Sequence, residues 1–372
     1  MTDYSYLHQL SLVYIEVTNK CNLACKYCYA LQRHEEAHVM SYETFQIIID
    51  LVALHSKCTH ISIIFHGGEP LLANSLFYEQ CITYANTCLK KVNKTVDYGI
   101  QSNLLLLNDA MIQILKENNV IVSTSIDGPQ NLHDQARAGW AKTIDHYHKL
   151  KAAGVQVNFI SVCSHHNKNH IRELFQFAKE LGTHSLQLNI ASSPERLNPS
   201  DTYLPMSAKD ILYVFKDILA CILEFGIIEK KMVQKIRYFL SPSAERVKLL
   251  RCDSPFCHAG VNMLVFTPDG TIHACSPAVP LTLIGENYSL GSISEPINIE
   301  QFQKTLALFH SKGDKYNKEC SNCEASIICD FGCPAFDRID PITAENHCIA
   351  TKALFQIFEG MTQEKLNPYL ST

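Results

Sequence analysis

Six times between residue 11 and about residue 230, a short run rich in β-branched residues is followed by a segment of helical length. The runs are 11–18 (SLVYIEVT), 60–67 (HISIIFHG), 95–103 (TVDYGIQSN), 120–127 (VIVSTSID), 155–163 (VQVNFISVC) and 184–191 (HSLQLNIA), and their β-branched, mostly apolar content reads as strands. Helical segments are expected near 41–57, 74–92, 108–118, 140–153 and 167–182, with Ser41, Asn108 and Asn167 as capping residues, then at 207–226 and 228–240. Repeated strand–helix alternation implies an α/β fold with a parallel sheet covered by helices. The arrangement expected is a partial (β/α)6 TIM-like barrel rather than a doubly wound sheet.

The remainder of the 372 residues has a different texture. A boundary is expected near 241–251, giving a barrel domain over 1–240 and a Cys-rich domain over 241–372. In the second, VNMLVFTPDGTIHAC (261–275) is two short strands joined by Pro268, Asp269 and Gly270, a hairpin signal. The loops and terminal helix around it have little core of their own, so metal ligation would help to hold them.

Sixteen cysteines are distributed unevenly. Three lie within residues 21–28 and eight between Cys252 and Cys348, while Cys58, Cys81, Cys88, Cys163 and Cys221 are scattered through strand and helix patterns and are expected to be buried apolar thiols. The start of the chain lacks a basic segment followed by an apolar one, so no export is expected and a reducing, cytoplasmic setting follows. There, closely spaced cysteines bind metals or do chemistry more often than they form disulfides. A net charge of −5 argues against nucleic acid as a partner, and no apolar run reaches the roughly 18 residues of a membrane span.

The first strand runs into Thr18-Asn19-Lys20 and then Cys21-Asn-Leu-Ala-Cys25-Lys-Tyr-Cys28. This loop sits at the C-terminal end of a barrel strand, the face where such barrels place their chemistry. Three thiolates in CxxxCxxC spacing hold three corners of a four-iron cluster and leave the fourth iron open to a ligand. A zinc site with a distant fourth ligand is the alternative, although structural zinc favours paired CxxC elements.

With Tyr27 just before its last cysteine, the loop resembles the signature of the radical S-adenosylmethionine (SAM) superfamily. The resemblance implies that Cys21, Cys25 and Cys28 carry the cluster that cleaves SAM to a 5′-deoxyadenosyl radical, which abstracts a substrate hydrogen. Gly67-Gly68-Glu69-Pro70 resembles the superfamily's GGEP element, implying contacts of its backbone and Glu69 with the SAM amino group. Gln101-Ser102-Asn103 is similar to a QTN element of the peptide-modifying branch. Ser125-Ile-Asp127-Gly128-Pro129 follows, with His133 and Arg137 beyond it. Ser125 and Arg137 match positions that bind the SAM carboxylate in anaerobic sulfatase-maturing relatives; a solvated helix-surface charge is the alternative for Arg137. Asn189 and Ile190, closing the sixth strand, would border the ribose and adenine.

The C-terminal spacing, Cys257, then Gly270 and Cys275, then Cys320-x2-Cys323-x5-Cys329-x3-Cys333 and Cys348, is similar to the SPASM domain, an auxiliary-cluster module of radical SAM peptide modifiers. Cys252 makes an eighth thiol. The resemblance assigns Cys252, Cys257, Cys275 and Cys333 to one auxiliary cluster and Cys320, Cys323, Cys329 and Cys348 to another, three 4Fe-4S clusters in all. Paired zinc sites are the alternative for these cysteines alone.

The SPASM branch acts mostly on peptides. The strings FHGGEPLL, QSNLLLLN and SIDGP look most like maturases of ribosomally synthesised precursor peptides that install carbon–carbon crosslinks, forming cyclophanes. The alternative is formylglycine formation in a sulfatase. There the residue after the cysteine corresponding to Cys275 is an aspartate acting as general base; here it is Ser276, which at its normal pKa cannot take a proton as a carboxylate does, though His273 stands nearby. A non-catalytic metal-bound scaffold or electron carrier is the remaining class, and the open site on the first three cysteines speaks against it. Expected partners are the precursor peptide and a flavodoxin or ferredoxin-type electron donor. Only about twenty residues precede Cys21, so leader recognition is expected from the barrel or a separate leader-binding protein.

Overall fold

Strand β1 (Leu12–Thr18) pairs in parallel with β2 (His60–Gly67), and β3 (Thr95–Ser102), β4 (Ile121–Ser125), β5 (Val157–Cys163) and β6 (Ser185–Ile190) follow in chain order, each parallel to the last. The computed structural model describes residues 3–30, 38–192, 204–240, 257–311, 319–320, 322–329 and 332–371. Uninterrupted neighbour order separates this sheet from a doubly wound one, in which the order reverses at a switch point. The helices between strands are α1 (Tyr42–His55), α2 (Ser75–Lys91), α3 (Asp109–Glu117), α4 (Gln130–Ala136), α5 (Trp140–Ala152) and α6 (Ile171–Glu180), and α7 (Ala208–Phe225) follows β6.

Side-chain alternation gives the sheet two unlike faces. The helix-facing one is apolar and buried, with Val13, Ile15, Val17, Ile61, Ile63 and Phe65 at 0–1% exposure. The other is polar: Glu16 and His66 are register partners on β1 and β2, and Gln101, Ser123 and Asn158 form a row across β3, β4 and β5.

The expected hairpin forms, but as part of this same sheet. Its first strand, β8 (Met263–Phe266), pairs in parallel with β1, and β9 (Thr271–His273) and the two-residue β10 (Gly291–Ser292) extend the edge. Asp269 accepts hydrogen bonds from Thr267 Oγ1 and from the amide and hydroxyl of Thr271, and Gly270 takes φ +82° as the turn requires. The sheet therefore runs β10-β9-β8-β1-β2-β3-β4-β5-β6-β7, open at its ends, and its β8–β1 pairing joins chain from both sides of the expected 240/241 boundary. Residues 241–256, Cys252 among them, lie outside the described residues.

Local detail differs from expectation in three places. Ser41 and Asn108 cap α1 and α3 through Thr44 N and Met111 N, but Asn167 caps no helix: its side chain closes the turn after β5 by accepting from Ser164 N and donating to Val162 O, and α6 starts four residues later. The stretch expected as helix over 228–240 begins with a two-residue edge strand, β7 (Ile228–Glu229), before α8 (Lys230–Leu240), because Glu229 accepts from Leu188 N on β6 and from Met232 N in the first turn. Cys81, Cys163 and Cys221 are buried as expected; Cys58 and Cys88 are only partly so. Past α9 (Ile299–His310), helices α10 (Pro334–Ile339) and α11 (Pro341–Glu359) pack against the Ser276–Ile284 turn and α7 respectively. Among the described residues no helix is long and apolar enough to cross a membrane.

Candidate active site at the cysteine loop

The loop carrying Cys21, Cys25 and Cys28 is held from two sides. Below it, the Gly68 and Glu69 amides donate to the carbonyls of Thr18 and Lys20 at 2.8 and 2.7 Å. This approach is too close for any side chain: a Cβ on Gly67 would collide with Thr18 O and one on Gly68 with Lys20 O, and Gly67 sits at φ +126°. Beside it, Lys26 N donates to Ala136 O at the end of α4, and Cys25 and Tyr27 pack with Ala136, Ala191, Leu23 and Val162. Burial pushes the Cys25 thiol up to about 12, with the Arg137 cation opposing it; Cys21 is raised for the same first reason. Thiols kept protonated in this way release their protons on binding a metal cluster.

Glu69 is the hub of the strand ends. Its carboxylate is 1% exposed and accepts from Leu71 N (3.0 Å), Ser102 Oγ (2.7 Å) and Asn103 N (2.8 Å). Burial raises its pKa and these three donors pull the other way. Asn103 carries the link onward, its Nδ2 donating to Asn22 Oδ1 inside the cysteine loop at 2.8 Å. Asn22 was missed in the sequence, because an isolated Asn in a loop carries no spacing signal, and Ser102 was named only as the middle of the Gln101-Ser102-Asn103 element, without a role of its own.

On the far side, Tyr27, Asp127 and Arg137 form one buried group. The Tyr27 hydroxyl donates to Asp127 Oδ2, and Arg137 Nε donates to the Tyr27 oxygen (3.0 Å) and lies 3.4 Å from Asp127 Oδ2. Asp127 Oδ1 accepts from Val162 N at 2.9 Å. Arg137 is therefore no solvated surface charge: its side chain is 12% exposed, its guanidinium lies 5.5 Å from the Tyr27 ring centroid, and the Asp127 side chain is fully buried. Helix α4, unforeseen in the sequence, brings it there, because Arg137 is the residue that ends that helix. His133 locks the turn, its Nδ1 accepting from Asp127 N (3.3 Å) while Nε2 faces Ala138 O (3.2 Å). Among the described residues the hydrogen bonds of Arg137 use Nε alone, leaving both Nη atoms for an anion.

Ser125 and Gln101 sit on the polar face near these groups. Asn189 does too, with Gln187 Nε2 donating to its Oδ1. Ile190 points the other way, as strand alternation demands, and lines a separate cavity with Leu188 and Phe215. Pro70 begins a buried turn whose carbonyl takes the Tyr78 hydroxyl at 2.6 Å.

The C-terminal cysteines fall into groups. Cys320, Cys323, Cys329 and Cys348 line one cavity, and each of the first three is near enough to add to the burial that raises the Cys348 thiol. Cys333, pushed up to about 11 by burial, faces Cys257. Cys275 and Cys333 each stand immediately before a short helical turn, and those turns pack together. No disulfide forms among the described cysteines, and no three His, Cys, Asp or Glu side chains there converge on one ion. The all-thiol donor sets suit four-iron clusters, in which each thiol takes its own iron.

Comparison with known proteins relates the fold that carries this site to a family. Residues 15–178 match the radical SAM superfamily. The serine-type anaerobic sulfatase-maturating enzyme of Bacteroides thetaiotaomicron is 32% identical over 45% of this chain and 42% of its own length. The cysteine-type enzyme of Clostridium novyi is 25% identical over 88% of each. In structure, native anSMEcpe with bound AdoMet and Cp18Cys peptide superposes with a TM-score of 0.74 at 20% identity, covering 98% of this chain and 99% of that one. Streptococcus suis SuiB bound to precursor peptide SuiA gives 0.62 at 14% identity, covering 87% and 72%; both are likenesses of fold. Residues 15–178 thus form a radical SAM domain, in a chain homologous to the anaerobic sulfatase-maturating enzymes.

Proposed function

We propose that this enzyme modifies a peptide, most specifically a ribosomally synthesised precursor in which it installs a carbon–carbon crosslink, in the cytoplasm. The observation that carries the reading is the cysteine loop clamped between the GGEP turn and the Tyr27–Asp127–Arg137 group, facing a polar barrel interior. Cys21, Cys25 and Cys28 would hold the SAM-binding cluster. Bound together, cluster and SAM supply on one-electron reduction a carbon radical able to take a hydrogen atom from substrate. Arg137 would offer its Nη donors, and Ser125 its hydroxyl, to the SAM carboxylate. The Gly68 and Glu69 amides are committed to the loop, so the SAM ammonium would meet carbonyls of that turn and the remaining lone pair on Glu69. Asn189 borders the nucleoside. Cys252, Cys257, Cys275 and Cys333, and Cys320, Cys323, Cys329 and Cys348, would hold two further clusters, with a flavodoxin or ferredoxin as electron donor and a separate leader-binding protein as a further partner.

The relationship to sulfatase-maturating enzymes supports formylglycine formation as the second reading. Ser276, buried at 8% exposure, weighs against it, since a hydroxyl there replaces the carboxylate base. Co-expression with short peptides encoded beside the gene, followed by mass spectrometry, separates the two. Loss of two hydrogens from a peptide whose residues become linked is the expected result; formylglycine appearing in a sulfatase-derived Cys peptide would transfer the assignment to the second reading.

A further inference from the structure

Behind the cavity of Cys320, Cys323, Cys329 and Cys348 lies a second one, where β6, α7 and α8 of the barrel meet α11. Four ionisable side chains line it: Glu229, Lys231, Lys235 and His347. Three are accounted for. The Glu229 carboxylate takes two backbone amides, from Leu188 and Met232, and Lys231 is near enough to favour its charged form. The His347 ring packs edge-on against Phe215 and its Nδ1 lies 3.4 Å from Thr351 Oγ1. Lys235 is different. It is 7% exposed, and among the described residues its Nζ donates at 2.8 Å to one neutral partner, the carbonyl of Ile328. A buried ammonium held by a single carbonyl is costly unless an anion stands close by.

Ile328 is the residue before Cys329, and His347, which shares the Lys235 cavity, is the residue before Cys348, so two of the four thiols sit one residue along the chain from this charge's surroundings. Four thiolates around an iron–sulfur core carry net negative charge, and the surrounding charge and hydrogen bonds set its potential. We propose that Lys235, reaching from the barrel helix α8, is a positioning residue that fixes the Cys329 loop and raises the reduction potential of the cluster on Cys320, Cys323, Cys329 and Cys348. The inference rests on the assignment of that cluster in the preceding section. A fixed cation behind the ligand loop favours the state with one more electron, so this cluster becomes the better electron acceptor.

The test uses the full chain reconstituted anaerobically with iron and sulfide alone, and a redox titration followed by electron paramagnetic resonance. Comparison with Cys348→Ala assigns the signal. Lys235→Met is expected to move the midpoint of that signal to more negative potential and leave the Cys21–Cys25–Cys28 signal in place, and Lys235→Arg, which keeps the charge, to restore it. An unchanged midpoint in Lys235→Met at full iron load overturns the proposal. So does loss of the signal in both variants, which makes Lys235 structural only. If the unmodified chain gives no signal removable by Cys348→Ala, the cluster assignment itself falls.

Discussion

Gly68 and Lys20 stand so close that a Cβ on the glycine would overlap the lysine carbonyl oxygen. The contact ties the GGEP turn on β2 to the base of the cysteine loop on β1, and it explains the glycine pair without reference to any bound cofactor. Gly68→Ala is therefore expected to displace the loop and cost the protein its first cluster, about four irons per chain. Iron and sulfide analysis after anaerobic reconstitution checks it; a full complement of iron in Gly68→Ala would show that the contact is dispensable.

The three sets of cysteines predict stoichiometry. Three four-iron clusters amount to about twelve irons per chain. Cys329→Ser should lower that by about one cluster, as should Cys333→Ser, whereas Cys81→Ala, at a thiol buried in the α2 core, should leave it unchanged. Zinc in place of iron would overturn the assignment of both C-terminal sets.

Arg137 and Asp127 form a buried ion pair, and removing one member of such a pair strands the other. Arg137→Met is expected to destabilise the apoprotein by about 3 kcal/mol, and part of this should return in the double variant with Asp127→Asn. Urea unfolding under reducing conditions measures both; additive losses would mean that the two side chains do not interact.

His133 gives a pH signature. Burial holds its pKa below the ordinary value of 6.5, with Asp127 opposing. The unfolded chain thus takes up a proton at this position before the folded one does. Its contribution to stability is complete above about pH 6.5 and is lost as pH falls from there toward the folded value, by at most about 1.4 kcal/mol per pH unit. Stability measured between pH 7 and pH 5 should fall more steeply for the unmodified chain than for His133→Gln, and parallel slopes would assign the titration elsewhere.

The strand order and the placement of chemistry at strand ends were legible in the sequence because buried parallel strands are nearly continuous apolar runs and because cysteine spacing is a strong local signal. Partnerships across the chain were not. Nothing local pairs Tyr27 with Asp127 or Asn22 with Asn103; such links form only when the sheet aligns the ends of β1, β3 and β4. The same holds for β8, whose alternation announced a hairpin but not its parallel partner β1. Ile190 shows the converse error, since adjacency in sequence to Asn189 places it on the opposite face.

The most direct measurement is anaerobic incubation of the reconstituted protein with SAM and a low-potential reductant, with 5′-deoxyadenosine quantified. The account predicts 5′-deoxyadenosine and methionine from the unmodified chain and none from Cys25→Ala. Absence of 5′-deoxyadenosine from iron-loaded unmodified protein, or equal amounts from Cys25→Ala, would contradict it.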